Sequence, residues 1–321
     1  MKRKTVMKKL LPVFSLLSAA VMLWSAAMAA FAASTTDVKG KVEQRDDCTI
    51  EIEYSSDGHT FEGENIKLYH VADISENAEY SLHGVFADYS VKVTGTSSQT
   101  EWDEMTLTLN SYILADKITP DYEAATDADG KVKFENLSVG LYLVSSVRTE
   151  SDGTYYVFES FMISLPGVDE NSSWIYDVTA KPKMSEDKPS KGEVEYKVVK
   201  TWKDDGNNSR PTSVEVGIYK DGIIQGVTEL NAENGWMYSW TTVDDGSVWT
   251  VTETEVPSGY KVGIQRNGDT FNVMNAYTGG GSPKTGDSSN IGFYLIIMAL
   301  SGAAFVTFGL VRRKYAEADE D

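Results

Sequence analysis

Apolar and polar residues alternate with a period of two through most of positions 34–277, the pattern of strands that bury one face. In the first half the pattern predicts strands at 49–54, 66–71, 131–134, 141–147, 155–165 and 174–180. Its one departure is 101–118, where Trp102, Met105, Leu109 and Ile113 approximate a helical stripe that Thr106 and Thr108 interrupt. In the second half, strands are predicted at 194–202, 213–219, 236–241, 247–254 and 270–274. Turn residues separate them: Asp204-Asp205-Gly206-Asn207, Asp221-Gly222, Asp244-Asp245-Gly246 and Asn267-Gly268. The polar stretch 184–192 has no apolar period and reads as a linker. The pattern therefore predicts an all-β protein, with two antiparallel β-sandwiches in tandem at 34–183 and 193–277.

Both ends break the pattern with continuous apolar runs. At the start, Lys2, Arg3, Lys4, Lys8 and Lys9 precede an apolar run that closes on Ala30-Phe31-Ala32. That order of basic, apolar and small residues predicts a signal peptide over 1–32. At the other end, residues 291–311 are apolar and are followed by Arg312-Arg313-Lys314. At about 1.5 Å per residue such a helix crosses a hydrocarbon core of roughly 30 Å, and its basic flank, the 312–321 tail, stays cytoplasmic. Between sandwich and span, residues 278–290 hold Gly279-Gly280-Gly281, a flexible lead-in to whatever follows.

Charge and cysteine content narrow the classes. A net charge of −19 repels nucleic acid and suits a soluble exported protein. Cys48 is the only cysteine, so the chain forms no internal disulfide. It shares the alternating face of Ile50, Ile52 and Tyr54, which predicts a core residue. His59, His70 and His83 have no ligand spacing, and the sequence predicts no metal site and no cofactor. Asp127-Ala-Asp129-Gly130 lacks the distal glutamate of a calcium loop, and Asp204-Asp205-Gly206-Asn207, with Glu215 at that place, has Ser209 instead of the loop's central glycine; both read as turns. Without a nucleophilic triad or a phosphate loop, an enzyme of many turnovers is not expected.

Ser282-Pro283-Lys284-Thr285-Gly286 lies just before the apolar span and the basic stop. In that order the three resemble the sorting signal of Gram-positive wall-anchored proteins. The resemblance implies that a sortase cuts between Thr285 and Gly286 and passes the Thr285 carbonyl to an amine of peptidoglycan or of a pilin. The family's usual first residue is Leu, where this chain has Ser282. On this reading the chain is secreted, held in the membrane only before sorting, and then fixed to the Gram-positive cell wall.

Strand phase in the second sandwich brings together unusual polar residues. Lys200 alternates with Val194, Tyr196 and Val198; Glu253 with Trp249 and Val251; Asn275 with Phe271 and Val273. An amine, an acid and a carboxamide thus all face the core. Burial favours a neutral Lys200 amine and a neutral Glu253 acid, and in contact the amine can attack the carboxamide and expel ammonia. The plainer reading is a buried Lys200–Glu253 ion pair with Asn275 hydrogen-bonded beside it. Around these residues, Lys200-Thr-Trp-Lys-Asp-Asp-Gly, Arg210-Pro211, Asn234-Gly-Trp236, Thr252-Glu253-Thr-Glu-Val-Pro257 and Val273-Met-Asn275 resemble the collagen-adhesin B-type (Cna-B) repeat. That resemblance implies immunoglobulin-like sandwiches. It also implies a Lys200–Asn275 isopeptide bond formed under the catalytic acid Glu253, in a rigid stalk.

The first sandwich offers no such trio, and no isopeptide bond is expected there. Asp129-Gly-Lys-Val-Lys-Phe134, Gly140-Leu-Tyr-Leu-Val144 and Trp174 through Lys183 resemble the N-terminal domain of Gram-positive shaft pilins. In those pilins the lysine of a Tyr-Pro-Lys motif receives the next subunit's sorted threonine. Lys183 stands at that place, with Lys181 where the tyrosine would be; the other reading is a solvated lysine at a strand end. Together these features predict a wall-anchored, pilin-like structural protein whose partners are a sortase and peptidoglycan or other pilin subunits. The alternative is a stand-alone adhesin whose first sandwich binds a host extracellular-matrix protein or glycan.

Overall fold

The computed structural model describes residues 40–278, apart from 57, 95–97, 152, 170 and 205–209. The expected leader, sorting pentapeptide, apolar span and tail lie outside the described residues. Among the described residues no helix is long and apolar enough to cross a membrane.

The first half begins with β1 (Cys48–Glu53), β2 (Ser55–Ser56), β3 (His59–Thr60), β4 (Asn65–Ile74) and β5 (Tyr80–Leu82). Helix α1 (Gln99–Asp116) and strands β6 (Tyr122–Ala125), β7 (Lys131–Leu137), β8 (Gly140–Val144) and β9 (Val147–Ser151) follow. It closes with β10 (Thr154–Phe158), β11 (Phe161–Leu165), β12 (Gly167–Val168), β13 (Trp174–Ile175), β14 (Asp177–Ala180) and β15 (Met184–Asp187). The second half holds β16 (Glu193–Lys203), β17 (Ser213–Lys220), β18 (Ile223–Asn231) and β19 (Met237–Val243). It ends with β20 (Trp249–Glu253), β21 (Tyr260–Asn267) and β22 (Thr270–Tyr277). The protein is all-β in class, two sandwiches in tandem, with α1 as its one long helix among the described residues.

In the first sandwich, β1 lies between β14, which runs parallel to it, and the antiparallel β7. The other main sheet has the order β11-β8-β4-β5, with β6 also on β4. Cys48, Ile50 and Ile52 are buried between less buried neighbours, as a period of two requires. Gly140–Val144 reads as a continuous apolar run, and β8 is buried along its whole length. Tyr54, Phe61 and Phe158 close the core edge to face, with ring centroids 5.0 Å apart for the Tyr54–Phe158 and Phe61–Phe158 pairs. Met184–Asp187, in the stretch expected as a linker, forms a strand antiparallel to β10.

Ser98 caps the start of helix α1. The Ser98 hydroxyl accepts from the Glu101 backbone N–H, three residues on. It ends at Lys117, whose left-handed φ of 54° breaks the helical run. The expected stripe of Trp102, Met105, Leu109 and Ile113 is buried, and so are Thr106, Thr108 and Ser111. These hydroxyls donate to the carbonyls of Trp102, Glu104 and Leu107 at 2.8, 2.6 and 2.8 Å, so burying them leaves no orphan donor. A helix buried on more than one side needs a second body to cover it, and α1 packs on β11 of its own sandwich and on β20 and β21 of the next.

The second sandwich faces a sheet of order β19-β16-β22-β21 with one of order β18-β17-β20. β16 and β22, first and last in sequence, are parallel neighbours; the other pairs are antiparallel. Val198, Val216, Val251, Ile264, Phe271 and Val273 fill the space between the sheets. Strand β21 is an edge, and the first half covers it. Val262 N–H donates to the Ser90 carbonyl at 2.8 Å and Ile264 N–H to the Thr108 hydroxyl at 2.7 Å.

Candidate functional site

Alternation along β16 buries Tyr196, Val198 and Lys200 and leaves Glu193, Glu195 and Lys203 outside. On β22 the same phase buries Phe271, Val273 and Asn275. The parallel register sets Lys200 opposite Val273 and Trp202 opposite Asn275, so the lysine stem and the carboxamide share one face of neighbouring strands. Glu253 comes from the other sheet, at the end of β20, and points into the same space. Lys200, Glu253 and Asn275 are 3%, 1% and 0% exposed.

The three side chains meet through the carboxyl group. Lys200 Nζ lies 3.0 Å from Glu253 Oε2, and Asn275 Nδ2 lies 2.9 Å from Glu253 Oε1. Asn275 Oδ1 is buried with no hydrogen-bond partner among the described residues. The Trp202 ring covers Lys200 Nζ at 4.7 Å from its centroid. Burial pushes the Lys200 amine below its ordinary value, although the nearby Glu253 charge opposes this. Burial likewise pushes Glu253 above the usual carboxylate range against the pull of Lys200. Both shifts favour a neutral amine beside a neutral acid.

Support for Glu253 reaches across from the first sandwich. The Tyr112 hydroxyl on α1 donates to the Glu253 backbone carbonyl at 3.0 Å. A cleft beside it is lined by Tyr89, Tyr112, Tyr219 and Glu255 among others. Sequence pattern does not expose Tyr112 as a partner of this site, because the contact joins residues from separate sandwiches.

Lys183 is exposed, between Pro182 and β15. In the first sandwich Lys181 Nζ pairs with Glu53 Oε1 at 3.0 Å, and the two side chains remain 34% and 35% exposed, unlike the closed trio of the second. Ser282, Pro283, Lys284, Thr285 and Gly286 lie outside the described residues. The histidines, read from sequence as scattered, do not all stay apart: the His70 and His83 rings stack at 4.3 Å, while His59 lies near Tyr156.

Parts of the chain are similar to known proteins. The chain is 28% identical to the collagen adhesin of Staphylococcus aureus over 221 residues, which is 58% of this chain and 18% of the adhesin's length. Among solved structures, it is similar to a single B repeat unit of the Staphylococcus aureus collagen-binding surface protein. That match has 18% identity and a TM-score of 0.26, covering 74% of this chain and 100% of the other. It is also similar to the full-length major pilin SpaD of Corynebacterium diphtheriae, with 18% identity and a TM-score of 0.28, covering 72% of this chain and 64% of the pilin. The segment that contains Lys200, Glu253 and Asn275, residues 196–276, matches the family model of the Cna protein B-type domain.

Proposed function

We propose that this chain is a structural subunit of the Gram-positive cell surface, stiffened by an isopeptide bond between Lys200 and Asn275 and anchored by a sortase through Ser282-Pro283-Lys284-Thr285-Gly286. The observation that carries the first part is Glu253, whose two oxygens touch Lys200 and Asn275 in a closed pocket. In the neutral pair, the Lys200 Nζ lone pair attacks Asn275 Cγ. Glu253 polarises the carboxamide with its proton, for which a half-turn of the amide offers the unpartnered Oδ1. The new N–C bond forms as the old one breaks, Glu253 carries a proton from Nζ to the leaving nitrogen, and ammonia departs. Every proton comes from the three side chains, and the acid is restored. No cofactor takes part, and the reaction occurs once per molecule.

Such a bond ties β16 to β22, the first and last strands of the sandwich, side by side in one sheet. Closing a loop of roughly 75 residues in the unfolded chain stabilises it by about 4 to 5 kcal/mol on the loop-entropy model. Its larger effect is mechanical, because a pull applied through the two strands meets a covalent bond instead of a ladder of hydrogen bonds.

Lys183 is the proposed acceptor for a neighbouring subunit's sorted threonine, and its exposure beside β15 supports that role. Assembly is tested in a Gram-positive host by electrophoresis of muramidase-released wall protein. A ladder resistant to sodium dodecyl sulfate that collapses in Lys183→Ala and vanishes without sortase is expected. A single wall-linked band unaffected by Lys183→Ala would instead favour a stand-alone adhesin. The 28% identity to a collagen adhesin gives that reading its support, with a host matrix protein as partner.

A further inference from the structure

We propose that His70, Asp73 and His83 form a binding site for a borderline divalent transition-metal ion of the Zn²⁺ or Cu²⁺ class. The site lies in the first sandwich and is independent of the cross-link proposed above. One ligand atom from each of His70, Asp73 and His83 lies within 4.8 Å of the other two. Asp73 Oδ1 is 3.0 Å from His83 Nδ1 and 3.6 Å from His70 Nε2. Donors held at about 2.0 to 2.1 Å around a tetrahedral ion sit roughly 3.4 Å apart, close to the two Asp73 separations, and the imidazole planes, stacked at 15° to one another, rotate to bring both nitrogen lone pairs onto one ion. Two imidazoles and a carboxylate suit Zn²⁺ or Cu²⁺ better than the hard ions Mg²⁺ and Ca²⁺, which take oxygen ligands.

The fold creates this cluster by breaking a rule of the regular strand. Residues three apart on a strand point to opposite faces. Between His70 and Ala72, however, β4 bulges opposite β8: His70 pairs with Tyr142 and Ala72 with the adjacent Leu141. The extra residue returns Asp73 to the face of His70, as bulges do when they re-aim a side chain. The β4–β5 hairpin then delivers the third donor. His83 follows β5, and its N–H donates to the Val71 carbonyl at 3.0 Å. Gly140 makes room for the His70 ring, since a Cβ there would collide with Nε2. Tyr142 holds the ring from below, stacked at 4.8 Å.

The His70 side chain is 13% exposed, and those of His83 and Asp73 are 44% and 55% exposed. One ligand is therefore fixed in the wall while two face solvent, which leaves a coordination position open to water or to a side chain of another molecule. Bound there, the ion clips β4 to the end of β5 at the sheet edge. His70 Nε2 now lies 3.1 Å from the Ala72 carbonyl, and coordination exchanges that contact for the metal.

The test is a competition titration of the chelator-stripped full chain with ZnCl₂ against a chromophoric chelator, repeated with His83→Ala, Asp73→Asn and His59→Ala. One ion per chain is expected, with affinity reduced at least about ten-fold in His83→Ala and Asp73→Asn and unchanged in His59→Ala. His83 and Asp73 are exposed, so their replacement leaves the core intact, and circular dichroism checks this. With Cu²⁺ the electron paramagnetic resonance spectrum should show coupling to two imidazole nitrogens, and to one in His83→Ala. Absence of saturable binding, or binding that survives both ligand substitutions, would overturn the site.

Discussion

The Tyr112 hydroxyl and the Glu253 backbone carbonyl, 141 positions apart, are joined by a hydrogen bond of 3.0 Å that links the helix of one sandwich to the Lys200–Glu253–Asn275 pocket of the next. Helix α1 thereby closes the side of β20 that would otherwise face water. The strand is buried from Trp249 to Glu253 on both its faces.

Replacing Tyr112 with Phe removes this donor and leaves the rest of the ring packed. A loss of about 1 kcal/mol is expected in urea denaturation. A stability unchanged from wild type would show that the contact contributes nothing.

Bond formation should depend on pH as a bell. Burial lowers Lys200 and raises Glu253, so in the reactive form the pair holds one shared proton on the acid. Acid adds a second proton and makes the amine a cation; alkali removes the first and leaves a carboxylate that cannot polarise the carboxamide. Mass spectra of newly translated chain, followed over time from its first folding across pH, check this, and a rate that climbs steadily into alkali would contradict it.

In Glu253→Gln the unlinked chain keeps a buried lysine without its acid. Without the Glu253 charge and hydrogen bond that hold the amine up, the unfolded state binds more protons than the folded one from below about pH 8 up to the ordinary 10.5 of lysine. Stability should rise with pH through that window. Urea midpoints at neutral pH and near pH 10.5 give the sign directly.

Cys48 is fully buried, and burial pushes its thiol up to about 11. It should resist iodoacetamide in the native state and react over the same denaturant range in which the fold is lost. Rapid native-state labelling would refute this placement.

Strand phase made the trio visible in the sequence, because a period of two assigns a face to each residue without any knowledge of strand order. Lys200, Glu253 and Asn275 stand out as polar residues in apolar phase. The strands at 223–231 and 260–267 did not. β18 is exposed along most of its length and shows no buried face, and β21 carries Gly263 at its centre, where a side chain would meet Glu104. Met184–Asp187 gives no apolar signal because three of its four residues are exposed while its backbone pairs with β10. The helix stripe was legible, but its polar buried face was not, since Thr108 owes its burial to β21. The histidine cluster was hidden by its bulge, which changes the face of Asp73 without leaving a mark in residue spacing.

The most direct measurement is the intact mass of the purified chain, with peptide mapping of the segments that hold Lys200 and Asn275. The account predicts a mass lower by one ammonia than the sequence of the same processed chain requires. A branched peptide joining the two residues should accompany it, and both should be absent in Glu253→Gln and Lys200→Ala. A chain of full mass that yields two separate peptides would contradict it.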